Sequence, residues 1–273
     1  MPGRFYYVKI VGMKKLVLLD MDGTVYLGDN LIPGVERVFD FFKQRDIKFV
    51  FLTNNSSHSI SFYKNKVNKL GIKCDESNFY TSVETTIKYL KEHNYKTLCV
   101  LGVSSFKEQL EKEFILVDTF DKEHPVDVVL ASFDTELKYE ELKVACLYLQ
   151  VGSKFIATNM DYRCPIEDGF YIPDCGGLCA WMEMCSGVKP LFLGKPAPEM
   201  IYQVMDKYGV SKEETIMVGD RYYTDIKAGI NAGIDTLAVL TGETTLEEFN
   251  IEKEKPTYIE ESIVDLIKIL ENN

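Results

Sequence analysis

The sequence predicts an α/β protein with a parallel sheet covered by helices, and three observations carry that prediction. Apolar runs of strand length alternate with stretches of helical periodicity along the chain. The runs are continuous, as in strands buried on both faces. Two of them end in aspartate, and in open α/β sheets ligands bind outside the carboxyl ends of strands.

Taken in order, LVLLD (16–20) is the first strand. Val35, Val38, Phe39 and Phe42 follow at i, i+3, i+4 and i+7, the apolar stripe of a helix. IKFVFLT (47–53) is the next strand, and Tyr63, Val67 and Leu70 mark a helix closed by Gly71. The middle of the chain supplies TLCVLG (97–102), VDVVLAS (126–132) and KFIAT (154–158), with a helix carrying Leu142, Ala145, Cys146 and Leu149. Beyond it, Met200, Ile201, Val204, Met205 and Tyr208 line a helix. TIMVGD (215–220) and TLAVL (236–240) are strands, and Ile263, Leu266, Ile267 and Leu270 form a last helix. No repeat, low-complexity tract or Pro/Gly-rich linker divides the chain.

At 273 residues, the chain has room for one large domain or for a core with a smaller insertion. Its 46% hydrophobic and 27% charged residues exclude a disordered or fibrous chain. With 31 basic against 42 acidic residues, the net charge of −11 opposes binding to phosphate backbones, so no nucleic-acid partner is expected. No apolar run reaches the roughly 18 residues of a membrane span. Residues 1–12 lack the long apolar centre of a signal peptide and read as a frayed or added leader, with Met13 a second start. Seven cysteines, an odd number without C-x-x-C spacing, suggest reduced thiols and a cytoplasmic setting. Cys175, Cys179 and Cys185 cluster; the pattern reads as small packed hydrophobes rather than a soft-metal site, whose ligands come in close pairs.

The chemistry concentrates in the carboxylates. Asp20 ends one strand and Asp22 lies two residues on, where side chains of an extended segment share a face. Asp220 ends a second strand, with Asp225 beyond it. Each alone also reads as a helix cap or turn residue. Brought together, such acids repel one another by several kcal/mol at an effective dielectric of about 20, unless a cation lies between them. A hard, oxygen-preferring ion such as Mg²⁺ is the simple remedy. FLTNNSS (51–57) offers Thr53 and Asn54 at a strand end, and LGKPAPE (193–199) offers Lys195, with Pro196 and Pro198 setting a helix start. Gly23 lets backbone approach a ligand. Hydroxyl and amide side chains at strand ends also cap helices, and lysines are usually solvated. Lys195 lacks the spacing of a Walker A loop, and no G-x-G-x-x-G follows a strand. Ser57 and His58 adjoin, but no nucleophile elbow accompanies them.

DMDGT, FLTNNSS, LGKPAPE and VGDRYYTD together resemble, in order and spacing, the four motifs of the haloacid dehalogenase superfamily. The segment 133–165 resembles the C2-type cap of its NagD/4-nitrophenylphosphatase-like branch. The resemblance runs from about Met13 to the end of the chain. It implies a Rossmann-like core from residues 1–79 and 191–273, with an α/β cap inserted at 80–190. It further implies Mg²⁺-dependent hydrolysis of small phosphomonoesters, among them sugar phosphates, nucleoside monophosphates and 4-nitrophenyl phosphate. Asp20 then matches the nucleophile and Asp22 the general acid/base. Thr53 matches the phosphate-binding hydroxyl, Asn54 an orienting residue, and Lys195 the neutralising lysine, with Gly23 beside the phosphate. The metal ligands are Asp20, the Asp22 carbonyl and Asp220, with Asp225 supporting the metal's waters or the lysine.

In the cap, IPDCGGLCA (172–180) departs from the family's P-G-x-G stretch, with Asp174 and Cys175 intervening. Asn159, Asp161, Arg163 and Asp174 are candidates to read the leaving group; Arg163 suits a second anionic group or plain exposure. The expected partner is a small phosphorylated metabolite, and a homodimer through the cap is a further expectation. A phosphotransferase or mutase on the same core and a phospho-accepting signalling domain are the competing readings. A signalling domain of that kind would be far shorter.

Overall fold

The computed structural model describes residues 13–55, 59–165 and 170–272. Residues 1–12 and the Ser57–His58 pair lie outside them. The chain opens with β1 (Leu16–Leu19), a small antiparallel hairpin of β2 (Tyr26–Leu27) and β3 (Asn30–Leu31), α1 (Glu36–Arg45) and β4 (Lys48–Thr53). Next come α2 (Ile60–Lys69), β5 (Phe79–Thr81) and α3 (Ser82–Glu92). The middle segment holds β6 (Thr97–Leu101), α4 (Ser104–Leu110), β7 (Ile115–Leu116), β8 (Val128–Ala131), α5 (Tyr139–Gln150) and β9 (Lys154–Ala157). An antiparallel pair, β10 (Arg163–Pro165) and β11 (Tyr171–Pro173), leads into α6 (Cys175–Ser186) and β12 (Leu191–Phe192). The chain then returns through α7 (Glu199–Tyr208), β13 (Thr215–Gly219), α8 (Lys227–Ala232), β14 (Asp235–Val239), α9 (Leu246–Ile251), β15 (Tyr258–Glu260) and α10 (Leu266–Glu271).

Two parallel sheets result. The first has the order β15-β14-β13-β1-β4-β5 and the second β12-β9-β8-β6-β7. The expected cap range, 80–190, overlaps the second sheet, whose strands run from Thr97 to Phe192; the last two residues of β5 lie in the first.

Continuous apolar runs become strands here because both faces of each sheet are covered. Val17, Leu19, Phe51, Ile216 and Val218 pack on one side with Val38, Phe42 and Val67 of α1 and α2. Leu16, Leu18, Val50, Leu52 and Met217 pack on the other with Met200, Ile201 and Val204 of α7. The period of two splits every run between two cores. The second sheet does the same: Cys99, Leu101, Val129 and Phe155 face α5 and α6, while Leu98, Val100, Val128 and Ile156 face Val83, Leu90 and Phe106. Cys175 and Cys179 of α6 are buried in the first of these clusters and Cys185 is exposed.

The order of the first sheet places the site. From β1 the chain moves outward to β4 and β5 on one side, and later to β13, β14 and β15 on the other. The strand order therefore reverses beside β1, and the carboxyl ends of β1, β4 and β13 meet at a topological switch point.

Candidate active site

Asp20 leaves β1 with its N–H donating to Val218 O at 2.9 Å, so it stays at the carboxyl end of the sheet beside β13. The register Leu19↔Val218 brings the two acid-bearing strand ends level. Asp225 returns to them on a π-helical turn, Tyr222–Ile226. Gly219 permits this, since a Cβ there would lie 2.3 Å from Asp225 Cβ. One carboxylate oxygen from each of Asp20, Asp220 and Asp225 lies within 4.8 Å of the others. At that separation each like-charge pair costs about 3 kcal/mol at an effective dielectric near 20.

Lys195 answers part of this charge. Its Nζ donates to Asp20 Oδ1 at 2.7 Å, Asp225 Oδ1 at 2.6 Å and Leu52 O at 2.9 Å. All three ammonium protons are thereby placed. Burial works against its charge, but Asp20 and Asp225 outweigh burial and hold the lysine above its ordinary pKa. Burial, with Asp20 and Asp225 adding to it, pushes Asp220 up to about 8. Burial and then Asp20 push Asp225 up to about 6, against the pull of Lys195.

Asp220 Oδ2 accepts from Glu243 N–H at 2.7 Å, whereas its Oδ1 is buried without a hydrogen-bond partner among the described residues. A buried carboxylate oxygen facing two further acids is costly unless a cation completes it. Three hard oxygen donors and an orphaned lone pair fit a divalent ion. Asp22 contributes no side chain to this cluster.

Metal-free protein should lose stability as pH rises from about 4 to about 8. The sign follows from the raised folded pKa values of Asp225 and Asp220. Between the unfolded value near 4 and the folded values, the native state binds more protons than the unfolded chain. That contribution is complete below the unfolded pKa and is lost through about 6 and then about 8. Thermal melts in EDTA across this range measure it, and a saturating divalent cation should flatten the profile.

A cavity of about 270 Å³ opens above the cluster. Asp20, Asp22, Thr53, Asn54 and Lys195 all line it, so residues spread across the chain share one pocket. Asp22 stands at the solvent-facing rim. Pocket walls strip part of its water and Asp20 repels its charge, so its pKa is raised, against Lys66 and Arg221. Thr53 is buried, and its Oγ1 accepts from Asn55 N–H at 3.1 Å. Asn54 meets the Lys195 backbone twice, its Oδ1 accepting from Lys195 N–H at 2.8 Å and its Nδ2 donating to Lys195 O at 2.9 Å.

Gly23 has a packing role besides the approach to a ligand expected of it. It does not line the cavity, and its N–H donates to Tyr26 O at 2.8 Å. With φ +86°, it makes room for Asp220, whose Oδ2 would sit 2.6 Å from a Cβ.

The loop after β9 and the β10–β11 pair supply the roof. Asp161, Arg163 and Asp174 line the cavity; buried Asn159 donates from Nδ2 to Asn54 O at 3.0 Å. Arg163 stacks over the Tyr171 ring at 4.2 Å. Asp174 caps α6 by accepting from Cys175 N–H at 2.6 Å, and burial, then Asp161, push it up to about 6. The glycines of the departing cap motif have a packing reason. A Cβ at Gly176 would lie 2.2 Å from Met160 O, and one at Gly177 would lie 2.9 Å from Tyr162 O.

Sequence reasoning passed over several lining residues. Arg221, inside VGDRYYTD, lies with Nε 2.8 Å from Glu243 Oε2; its place beside Asp220 was the available signal. Lys66 sits over the Tyr26 ring at 4.3 Å, and no spacing pointed to it.

Comparison with known proteins agrees with this geometry. Residues 17–114 match the haloacid dehalogenase-like hydrolase family, and residues 192–266 match a second HAD-hydrolase-like family. An acid sugar phosphatase of Staphylococcus saprophyticus is 34% identical over 258 residues, covering 94% of this chain and 98% of the relative. The chain belongs to the haloacid dehalogenase-like hydrolases, in the NagD/4-nitrophenylphosphatase-like branch. The 5'-nucleotidase YutF of Bacillus subtilis is 35% identical over 251 residues, covering 92% of this chain and 96% of its own. The crystal structure of a 4-nitrophenylphosphatase from Thermotoga maritima superposes with TM-score 0.85 at 38% identity, covering 94% of this chain and 98% of that one. This HAD chain is a phosphatase. No helix among its described residues is long and apolar enough to cross a membrane.

Proposed function

We propose that the protein hydrolyses small-molecule phosphomonoesters, with Mg²⁺, through a phospho-aspartyl intermediate on Asp20. The observation that carries this reading is the meeting of Asp20, Lys195, Asp220 and Asp225 beneath a cavity that also holds Asp22. Residues 80–190 are the cap of this reading, and the remainder is the catalytic core. The setting is cytoplasmic, supported by the odd number of cysteines.

Lys195 fixes Asp20 Oδ1, so Oδ2 is the oxygen left to attack phosphorus. As the new P–O bond forms, the bond to the leaving oxygen breaks, and Asp22 gives that oxygen its proton. The raised pKa of Asp22 keeps more of it protonated than a free carboxyl would be at the same pH. Asp22, now ionised, takes a proton from water; that water attacks phosphorus, releases Asp20 and yields inorganic phosphate. Lys195 and Arg221 bring positive charge to a dianionic substrate. Asp20 and Asp220, with Asp225 behind them, would hold the metal ion, which when bound supplies Lewis-acid neutralisation of phosphoryl charge.

The test is release of 4-nitrophenolate and phosphate from 4-nitrophenyl phosphate. Activity with Mg²⁺ should fall by roughly 100-fold or more on exhaustive chelation with EDTA and return when the ion is restored. Full activity after chelation rejects the metal's role. A panel of sugar phosphates and nucleoside monophosphates ranked by kcat/KM then identifies the leaving group, the two classes named by the relatives above.

A further inference from the structure

We propose that Asp161, although it lines the cavity, is a positioning residue: it clasps Asn54 and through it sets the Lys195 loop. The inference rests on the function proposed above and adds a division of labour within the site. It assigns Asp161 to phosphate chemistry common to every substrate rather than to discrimination between leaving groups.

The geometry is a short chain of bonds. Asp161 Oδ2 accepts from Asn54 Nδ2 at 3.1 Å. The same amide nitrogen donates to Lys195 O at 2.9 Å, and Asn54 Oδ1 accepts from Lys195 N–H at 2.8 Å. Asn54 thus forms a cyclic, peptide-like pair with the Lys195 backbone, and its one remaining amide proton goes to Asp161. Lys195 in turn holds Asp20 and Asp225 through Nζ. A bond from an amide to a carboxylate is about twice as strong as a neutral one and fixes which way the amide faces. Turned over, Asn54 would set oxygen against oxygen at both Lys195 O and Asp161.

The loop that presents Asp161 is rigidly held. Asn159 Oδ1 accepts from Asp161 N–H at 3.0 Å, and Asp161 O accepts from Gly176 N–H at 2.8 Å. Asn159 Nδ2 also binds Asn54 O at 3.0 Å, so two side chains of one loop grip one residue of the first sheet. Gly194 is shaped for this approach: a Cβ there would lie 2.5 Å from both Asn54 Oδ1 and Thr158 O. A residue serving only to read a leaving group has no need of that register.

Asp161→Ala and Asp161→Asn separate the two roles, since Asn keeps an acceptor oxygen and Ala does not. Three quantities are measured: kcat and KM for 4-nitrophenyl phosphate, a hexose phosphate and a nucleoside monophosphate; the Kd of inorganic phosphate with Mg²⁺ present; and hydrogen exchange of the Lys195 amide. Asp161→Ala should lower kcat/KM roughly 10-fold or more for all three esters, by factors agreeing within about 3-fold. It should also weaken phosphate binding about 10-fold and speed Lys195 amide exchange, while Asn restores most of each loss. Misfolding of a fraction of the protein would lower kcat without moving the Kd of phosphate. Losses differing by more than about 10-fold between esters overturn the proposal in favour of leaving-group recognition. So does an Ala variant with unchanged phosphate Kd and Lys195 exchange. A wild-type protein inactive on every ester would reject the proposed function, and the phosphate and exchange measurements would still decide the clasp.

Discussion

Asp20→Asn should lower turnover of 4-nitrophenyl phosphate by about 10⁴-fold or more while leaving the melting temperature within a few degrees of wild type. The amide nearly matches the carboxylate in shape, so the packing at the end of β1 survives. It cannot supply the nucleophilic oxygen, and Lys195 loses one of its two anionic partners. Removing one of three crowded acids also relieves repulsion, which offsets the lost ion pair. Steady-state kinetics and a thermal melt check both halves. Turnover within about 10-fold of wild type would reject the nucleophile assignment.

Lys195→Met should be damaging in both respects. The Lys195 side chain is 3% exposed and that of Asp225 1%, so the substitution strands a buried carboxylate. Breaking a buried pair by removing one partner costs about 3–5 kcal/mol, and Leu52 O loses a donor besides. For a chain of this size that corresponds to a fall of roughly 10 °C in melting temperature. Activity should drop by about 10³-fold, because nothing else in the loop replaces the ammonium beside Asp20. The double variant Lys195→Met/Asp225→Asn should recover much of the stability, since the stranded charge is gone, and none of the activity. Melts in EDTA isolate the protein's own charges from a bound cation. A stable Lys195→Met variant would show that the three ammonium contacts contribute little to the native state.

These two expectations draw on different layers of information. The placement of Asp20, Asp22, Lys195 and Asp220 was legible because each lies in a short motif at a strand or loop end that local periodicity locates. LVLL and TIMVG read as strands for the same reason that they fold as strands: each residue of either run has a covered face waiting for it. Gly23 shows what such reading leaves out. Its side-chain-free approach was assigned to a ligand, yet the space is taken by Asp220, a neighbour only through the pairing of β1 with β13. Lys66 shows a second omission. On α2 it reads as one solvated lysine among several, and only the tertiary arrangement lays it over Tyr26 at the cavity.

By itself the sequence determined the alternation of strands and helices, the acids at the strand ends and the types of group available for phosphoryl chemistry. All of these follow from apolar periodicity and side-chain chemistry over a few residues. Only the tertiary structure decided which acids share a cavity, that Asn54 faces Asp161 across 107 residues of chain, and that Asp220 keeps a buried oxygen without a partner among the described residues. Such contacts depend on strand order and register, which arise from packing whole layers together and leave no period in the residues that finally meet.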